Sequence, residues 1–367
     1  MALGQKLKRA RELVNLTLEQ VAQATRIPTS TLSDFENDRY EPDFAQLVSM
    51  ARLYRRDFNE FLTEEKLSEP VVMWREEPVE DKAQLRARFL ELCDQFYSLE
   101  LICNSNRASE LEELRFELRG LTKQAVEKLA EKTRKELDLG GWPAHNLRRV
   151  LEEHAGVKIF VCGLENTDIA ACSWGEFGPA VLLPNNVAHW RNNFSLAHEL
   201  FHLLTWPDDA SDDVHFKSTS KLEKLANHFA GCLLVPRKQL VFSVQNRKQN
   251  DEFTYPSIIY LAQEFDVSVE ALMIRVREVF MLSKKKYEDL LNWAKDNRGA
   301  YDSKRMQTLK DEYDRPQRFT KLAFLALDMG RISTGKFAKY MGMSRYKAAK
   351  KADERPGDVA TTKLATG

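Results

Sequence analysis

The 367-residue sequence has no apolar run of about 18 residues, so no transmembrane helix is expected, and its amino terminus lacks the features of a signal peptide. It has only five cysteines and no Cys-x-x-Cys pair, which argues against a disulfide framework and fits reduced thiols. The 55 basic and 55 acidic residues cancel, which gives no support for bulk attraction to nucleic acid. These absences predict a cytoplasmic chain with no membrane partner.

In most segments of the sequence, apolar residues recur at helical spacing. A mainly α chain of the α+β class is therefore expected. Short strand-like runs, VKIFVCG, DIAACSW and PAVLLP, predict a small antiparallel sheet of about three strands in the central region. The expected organisation is a five-helix bundle at 1–63, a linker and helical connector at 64–119, a central domain at 120–282, a helical extension at 283–352, and a disordered tail at 353–367.

The segment RNNFSLAHELFHLLTW, residues 191–206, carries a His-Glu-x-x-His pattern. His198 and His202 are four residues apart, so a helix places both imidazoles on one face, within reach of one metal ion. Glu199 lies about 100° around the helix, where its carboxylate can take a proton from water on the metal. Because seven histidines give this pattern by chance in about one chain per hundred, it needs a second feature.

A catalytic zinc site needs a third protein ligand, for which KLEKLANHFAGCLLVP (221–236) offers Glu223 and His228. On a helix, Glu223 shares a stripe with Asn227 and two alanines, so its carboxylate can approach a neighbouring helix and Asn227 can orient a ligand. His228 points about 140° away from Glu223, which makes it the weaker candidate. The remaining candidates are loop residues: Asp208, Asp209, Asp212, Asp213 and His215.

These two segments resemble the ImmA/IrrE family of metallopeptidases, and the resemblance extends from about 120 to 280. It implies a zincin-like domain in which His198, His202 and Glu223 hold Zn²⁺, or alternatively Mn²⁺, and Glu199 is the general base of peptide hydrolysis. His215 or Tyr255 would stabilise the oxyanion. Phe201 stands where the family often has glycine. The matching residues are Arg191, Phe194, Ala197, His198, Glu199, His202, Glu223, Ala226, Asn227, Phe229, Ala230, Leu233, Leu234 and Pro236.

Residues 3–62 resemble the XRE/Cro-type helix-turn-helix, with Thr17 as the expected N-cap of the first motif helix (17–25) and a recognition helix at about 28–37. The resemblance implies that the amino-terminal part of the recognition helix faces DNA bases. Nine basic and nine acidic residues balance in 1–62, so a module for dimerisation or protein docking is the alternative. The expected base-facing residues are Thr29, Ser30, Ser33 and Asp34, and the expected phosphate contacts are Gln20, Arg26 and Arg39.

Together these resemblances predict a metallopeptidase fused to a DNA-binding domain, with DNA bound through 1–63 and a homodimer as one option. Its substrate would be a transcriptional repressor or similar regulator, cleaved in a stress or mobile-element response. One alternative is a non-catalytic transcriptional regulator that senses a ligand or metal, and another is an antitoxin-like regulator. The segment STGKFAKYMGMSRYKAAKK near the carboxyl terminus again resembles a small helix-turn-helix.

Overall fold

The fold is known from a computed structural model, which describes residues 3–54, 56, 58–62, 70–75, 82–105, 108–117, 121–161, 169–185, 187–207, 220–247, 255–297 and 315–353. Its contacts divide the chain into two compact units, one formed by 1–66, 94–106 and 317–367 and the other by 67–93 and 107–316. Within the described ranges, no helix combines the length and the apolar character needed to cross a membrane.

Helices account for most of the described elements. In chain order they are α1 (Leu3–Leu13), α2 (Leu18–Thr25), α3 (Thr29–Glu36), α4 (Phe44–Tyr54), α5 (Asn59–Leu62), α6 (Lys82–Ile102), α7 (Lys123–Glu136), α8 (Leu147–Glu153), α9 (His189–Leu204), α10 (Ser220–Leu234), α11 (Arg237–Gln245), α12 (Tyr255–Glu264), α13 (Val269–Phe280), α14 (Lys284–Asn297), α15 (Gln317–Asp328), α16 (Thr334–Tyr340) and α17 (Arg345–Asp353). The strands are β1 (Val72–Trp74), β2 (Lys158–Val161), β3 (Ala171–Gly175) and β4 (Gly178–Leu183).

The first five helices form the expected amino-terminal bundle around a core that includes Leu7, Val21, Leu32 and Met50. Thr17 caps α2 in a reciprocal capping box: its side chain accepts from the Gln20 N–H, while the Gln20 side chain accepts from the Thr17 N–H. Gly4 lets α1 approach α3, because a Cβ there would lie 2.3 Å from the Phe35 carbonyl oxygen.

The same unit also contains the carboxyl-terminal part of α6 and helices α15 to α17. The Ser98 hydroxyl on α6 donates to the carbonyl oxygen of Leu13, and the Tyr340 hydroxyl on α16 lies 3.3 Å from Ser98 Oγ. Lys336 Nζ donates to Asn15 Oδ1 at 2.6 Å. Segments far apart in sequence therefore pack with the helix-turn-helix helices in one unit.

The second unit contains a four-stranded sheet in the order β1-β3-β4-β2, which confirms the α+β class. The expectation of an antiparallel sheet of about three strands is wrong in two respects. β2 runs parallel to β4, because the chain from β2 crosses over through β3 before β4 pairs with it. A fourth strand, β1, comes from the segment expected to be a linker and pairs antiparallel with β3.

Helix α9 packs against β3 and β4 on one side and against α10 on the other. Its apolar residues Leu196, Leu200, Leu203 and Leu204 are at most 1 % exposed and belong to the main core. The helix begins at His189, and the side chains of Asn192 and Asn193 in its first turns donate to Pro184 O and to Asp266. This packing holds the His-Glu-x-x-His segment rigidly between sheet and helix.

Candidate metal centre

The two histidines of α9 meet at their Nε2 atoms. His198 and His202 are 0 % and 3 % exposed, and their Nε2 atoms lie 3.2 Å apart. Helical spacing places the rings one turn apart on one face, and the packing of α9 fixes their orientation. Two buried acceptor-capable nitrogens at this separation need a cation or a proton between them.

Helix α10 brings a carboxylate to the same point. Glu223 Oε2 lies 3.0 Å from His198 Nε2, and Glu223 Oε1 lies 3.3 Å from His202 Nε2. One ligand atom from each of these three residues falls in a common cluster whose atoms lie within 4.8 Å of one another. The competing candidate, His228, points elsewhere, with Nδ1 3.3 Å from Glu278 Oε1.

The donor spacing fits a tetrahedral metal. A metal with ligand bonds of about 2.0–2.1 Å separates its tetrahedral ligands by roughly 3.3–3.4 Å. The two Nε2 atoms are 3.2 Å apart, and each lies at a similar distance from a Glu223 oxygen: His198 is 3.0 Å from Oε2 and His202 is 3.3 Å from Oε1. Two imidazoles and one carboxylate form a donor set of the kind that binds Zn²⁺.

Asn227, one turn beyond Glu223 on α10, contacts one of the candidate ligands. Its Oδ1 lies 3.0 Å from His198 Nδ1. An amide oxygen is only an acceptor, so this contact favours the tautomer with the proton on Nδ1 and leaves the Nε2 lone pair free for a metal. The tautomer and the ring orientation are therefore set together.

Glu199 is 0 % exposed, and neither carboxylate oxygen has a hydrogen-bond partner within the described residues. A buried carboxylate without partners is costly and is retained where it binds or moves a proton. Its neighbour is Cys172 on β3. Burial raises the pKa of the Cys172 thiol well above its usual range, and the negative charge of Glu199 and a hydrogen-bonding contact with its carboxylate raise it further. Cys172 is therefore a neutral thiol beside the carboxylate.

Sequence reasoning missed Cys172 beside Glu199, and it also missed Met73 and Arg75 of the neighbouring segment. Met73 is opposite Cys172 in the sheet register, and Arg75 Nη1 donates to Ser195 Oγ at 3.0 Å. A strand as short as β1 shows too little alternation to be recognised, so no sequence signal marked these contacts.

The proposed oxyanion-stabilising groups cannot be placed. His215 and the side chain of Tyr255 lie outside the described residues, although α12 begins at Tyr255. The loop aspartates Asp208, Asp209, Asp212 and Asp213 lie outside them as well.

In the helix-turn-helix, the residues proposed to contact DNA differ in solvent exposure and in their intramolecular contacts. Ser30 and Arg26 are exposed, whereas Thr29 and Ser33 are half-buried. Three of the proposed residues have intramolecular partners. Gln20 completes the capping box of α2, and Arg39 Nη1 lies 3.3 Å from Asp34 Oδ1. The Asp34 charge is thus partly compensated within the recognition helix and its following turn.

Fold and site together define a metallopeptidase-type domain joined to an amino-terminal helix-turn-helix domain. Residues 152–277 match the Peptidase_M78 family model, described as the IrrE N-terminal-like domain, and residues 7–61 match a helix-turn-helix family model. The chain is therefore a fusion of an IrrE N-terminal-like peptidase domain with an XRE-type helix-turn-helix domain, which confirms the resemblance seen in its motifs. A search of the curated proteins finds no match to this chain.

Proposed function

We propose that this protein is a metal-dependent endopeptidase that cleaves a transcriptional repressor or a similar regulator in a stress or mobile-element response. The observation that carries the proposal is the spacing of the His198, His202 and Glu223 donor atoms at 3.0–3.3 Å, with the buried carboxylate of Glu199 beside them. A metal-binding role alone accounts for the three ligands but not for an uncompensated buried carboxylate.

In the proposed reaction, His198, His202 and Glu223 would hold a Zn²⁺ ion, or alternatively Mn²⁺. When bound, such an ion would supply Lewis-acid chemistry: polarisation of a carbonyl group and a lower pKa for water. Glu199 would accept the proton of the attacking water and pass it to the leaving amine, because its buried carboxylate lies one residue from His198 on the same helix. Asn227 keeps His198 in its ligating tautomer.

The helix-turn-helix is proposed to bind DNA through 1–63, which would localise the peptidase at the promoter that its substrate occupies. The exposed amino-terminal side of α3, at Ser30, is the surface that supports this role. A homodimer would present two such helices to a palindromic site.

Removal of the metal is expected to abolish hydrolysis. Treating the purified protein with a strong zinc chelator should reduce cleavage of an unfolded casein substrate to background, and one equivalent of Zn²⁺ should restore it, because the three proposed ligand atoms lie within 4.8 Å of one another and would bind a single ion. Mn²⁺ is tested in parallel.

His202→Ala should lose bound metal, as measured by elemental analysis. His154→Ala, which changes an exposed histidine on the turn after α8, should keep it. Cleavage that continues in demonstrably metal-free protein would overturn the assignment.

Adding negative charge to the recognition helix is expected to weaken DNA binding. Ser30→Glu places a carboxylate on the exposed side of α3, where it would repel phosphate. Fluorescence anisotropy with the DNA upstream of the protein's own gene should show a loss of affinity of at least about fivefold, since a single base-facing contact contributes about 1–3 kcal/mol. Gln124→Glu, exposed on α7, changes the net charge equally and should bind normally. Equal affinity of both variants would favour a protein-docking role for this domain.

A further inference from the structure

Strand β1 covers an edge of the sheet that would otherwise be open. In the order β1-β3-β4-β2, β3 has β4 on one side and, among the described residues, the three-residue strand β1 on the other. The register pairs Val72 with Ser173, Met73 with Cys172 and Trp74 with Ala171. Without β1, the peptide groups of β3 would form a free edge, which is a general docking site for an extended peptide.

This edge borders the metal centre. Cys172 of β3 is the neighbour whose thiol pKa is raised by the charge of Glu199. Met73 lies directly opposite Cys172, so its side chain is on the same face of the sheet. Met73 is 9 % exposed and belongs to the same core cluster as Ala197 and Phe201 of α9. The middle of β1 therefore faces the helix that carries the metal ligands.

Arg75 extends β1 along the same helix. Its N–H donates to the Ala170 carbonyl at 3.1 Å, which continues the pairing beyond the strand. Its guanidinium donates to Ser195 Oγ and lies 5.7 Å from the centre of the Phe194 ring. Ser195 is three residues before His198 and four before Glu199, so it lies one turn away on the same face of α9.

The stretch of residues 70–75 that contacts β3 is short, so an extended peptide can compete with it for the same edge of the sheet. Outside the ladder it is held by Ser173 Oγ donating to Val71 O at 2.8 Å and by Arg86 Nη2 donating to Pro70 O at 3.1 Å. Val72, Trp74 and Arg75 remain half-buried. A peptide of similar sequence could make the same set of contacts.

We propose that residues 70–75 occupy the peptide-binding edge of β3 as an intramolecular mimic of substrate, and that an extended peptide must displace them to reach the metal centre. The contacts define the class of peptide: an extended segment with an apolar side chain opposite Cys172 and a basic side chain two residues later, reaching Ser195. The effect of this segment on hydrolysis rests on the proposed peptidase function. Its occupancy of the β3 edge does not, and peptide binding alone can test it.

The test uses the full chain with Glu199→Gln, so that a bound peptide is not cut, and a fluorescent peptide copying residues 70–75, PVVMWR. Weakening the segment by Met73→Ser with Arg75→Ser should tighten peptide binding by about tenfold or more, because the competitor occupies the edge less often. Locking it by Val72→Cys with Ser173→Cys, an opposed pair on the face away from α9, should abolish binding until the disulfide is reduced. A scrambled peptide is the control ligand.

The same substitutions with Glu199 restored are then assayed on unfolded casein, and the weakened variant should cleave faster while the locked variant should be inactive until reduced. If no variant cleaves but the binding order holds, the peptidase function fails and the edge assignment stands. If the locked protein binds the peptide equally well before and after reduction, or the weakened protein binds it no better than the parent, the edge assignment is wrong. Circular dichroism identifies any variant that is unfolded, and the reduced locked protein serves as its own folded reference.

Discussion

Glu199→Gln is expected to lower kcat for peptide hydrolysis by about 10²–10⁴-fold, the usual contribution of a positioned general base. The amide has the volume of the carboxylate but cannot accept a proton from water. Bound metal should stay at the parent level, because His198, His202 and Glu223 are unchanged. The measurements are steady-state kinetics on a casein-derived peptide and elemental analysis of the purified protein.

The control for this variant is Glu136→Gln, the same change at an exposed position on α7, which should leave kcat unaltered. The Glu199→Gln protein should also be at least as stable as the parent when metal is removed from both, because a buried carboxylate without partners destabilises the fold. A cell that keeps the full biological response with Glu199→Gln would instead identify a non-catalytic regulator that senses metal or ligand.

Phe201→Ala is expected to reduce the free energy of unfolding of the peptidase unit by about 3–5 kcal/mol, the range for a buried phenylalanine. The ring is 0 % exposed, and its centroid lies 5.6 Å from that of Phe229 on α10. Phe201 thus fills the space between the two helices that carry the candidate metal ligands, where the family often has glycine. Because the ring also lies 5.7 Å from that of His202, metal affinity should fall with stability.

Calorimetry of metal-free protein measures this effect, with the transition of the peptidase unit identified by its rise in Tm when Zn²⁺ is added. Phe242→Ala is the matched control, since that side chain is 56 % exposed and its loss should cost no more than about 0.5 kcal/mol. Equal Tm values for the two variants would show that Phe201 does not stabilise the packing of α9 against α10.

The sequence pattern was sufficient to predict the relative positions of side chains wherever those side chains lie on one helix. The four-residue spacing of His198 and His202 fixes their common face, and helical phase favours Glu223 over His228 without reference to any other element. The structure places Glu223 beside both histidines and His228 beside Glu278. The capping role of Thr17 is likewise a local property and is confirmed.

Pairing between distant segments could not be predicted in the same way. A three-residue strand such as β1 has no measurable alternation, and its partner is about a hundred residues away in sequence. The sequence pattern also does not predict the parallel pairing of β2 with β4. Whether two strands run parallel depends on which strands become neighbours in the folded sheet. The partners of Asn192 and Asn193 also come from outside α9.

The sequence by itself determined the residue types and helical phases of the candidate metal centre, because both follow from the 3.6-residue period. Only the tertiary structure decided that the Glu199 oxygens are buried without partners within the described residues, that Cys172 borders them, and that β1 covers the edge of β3. Those facts depend on which surfaces meet when α9 packs between the sheet and α10, and burial of apolar area across the whole unit selects that arrangement.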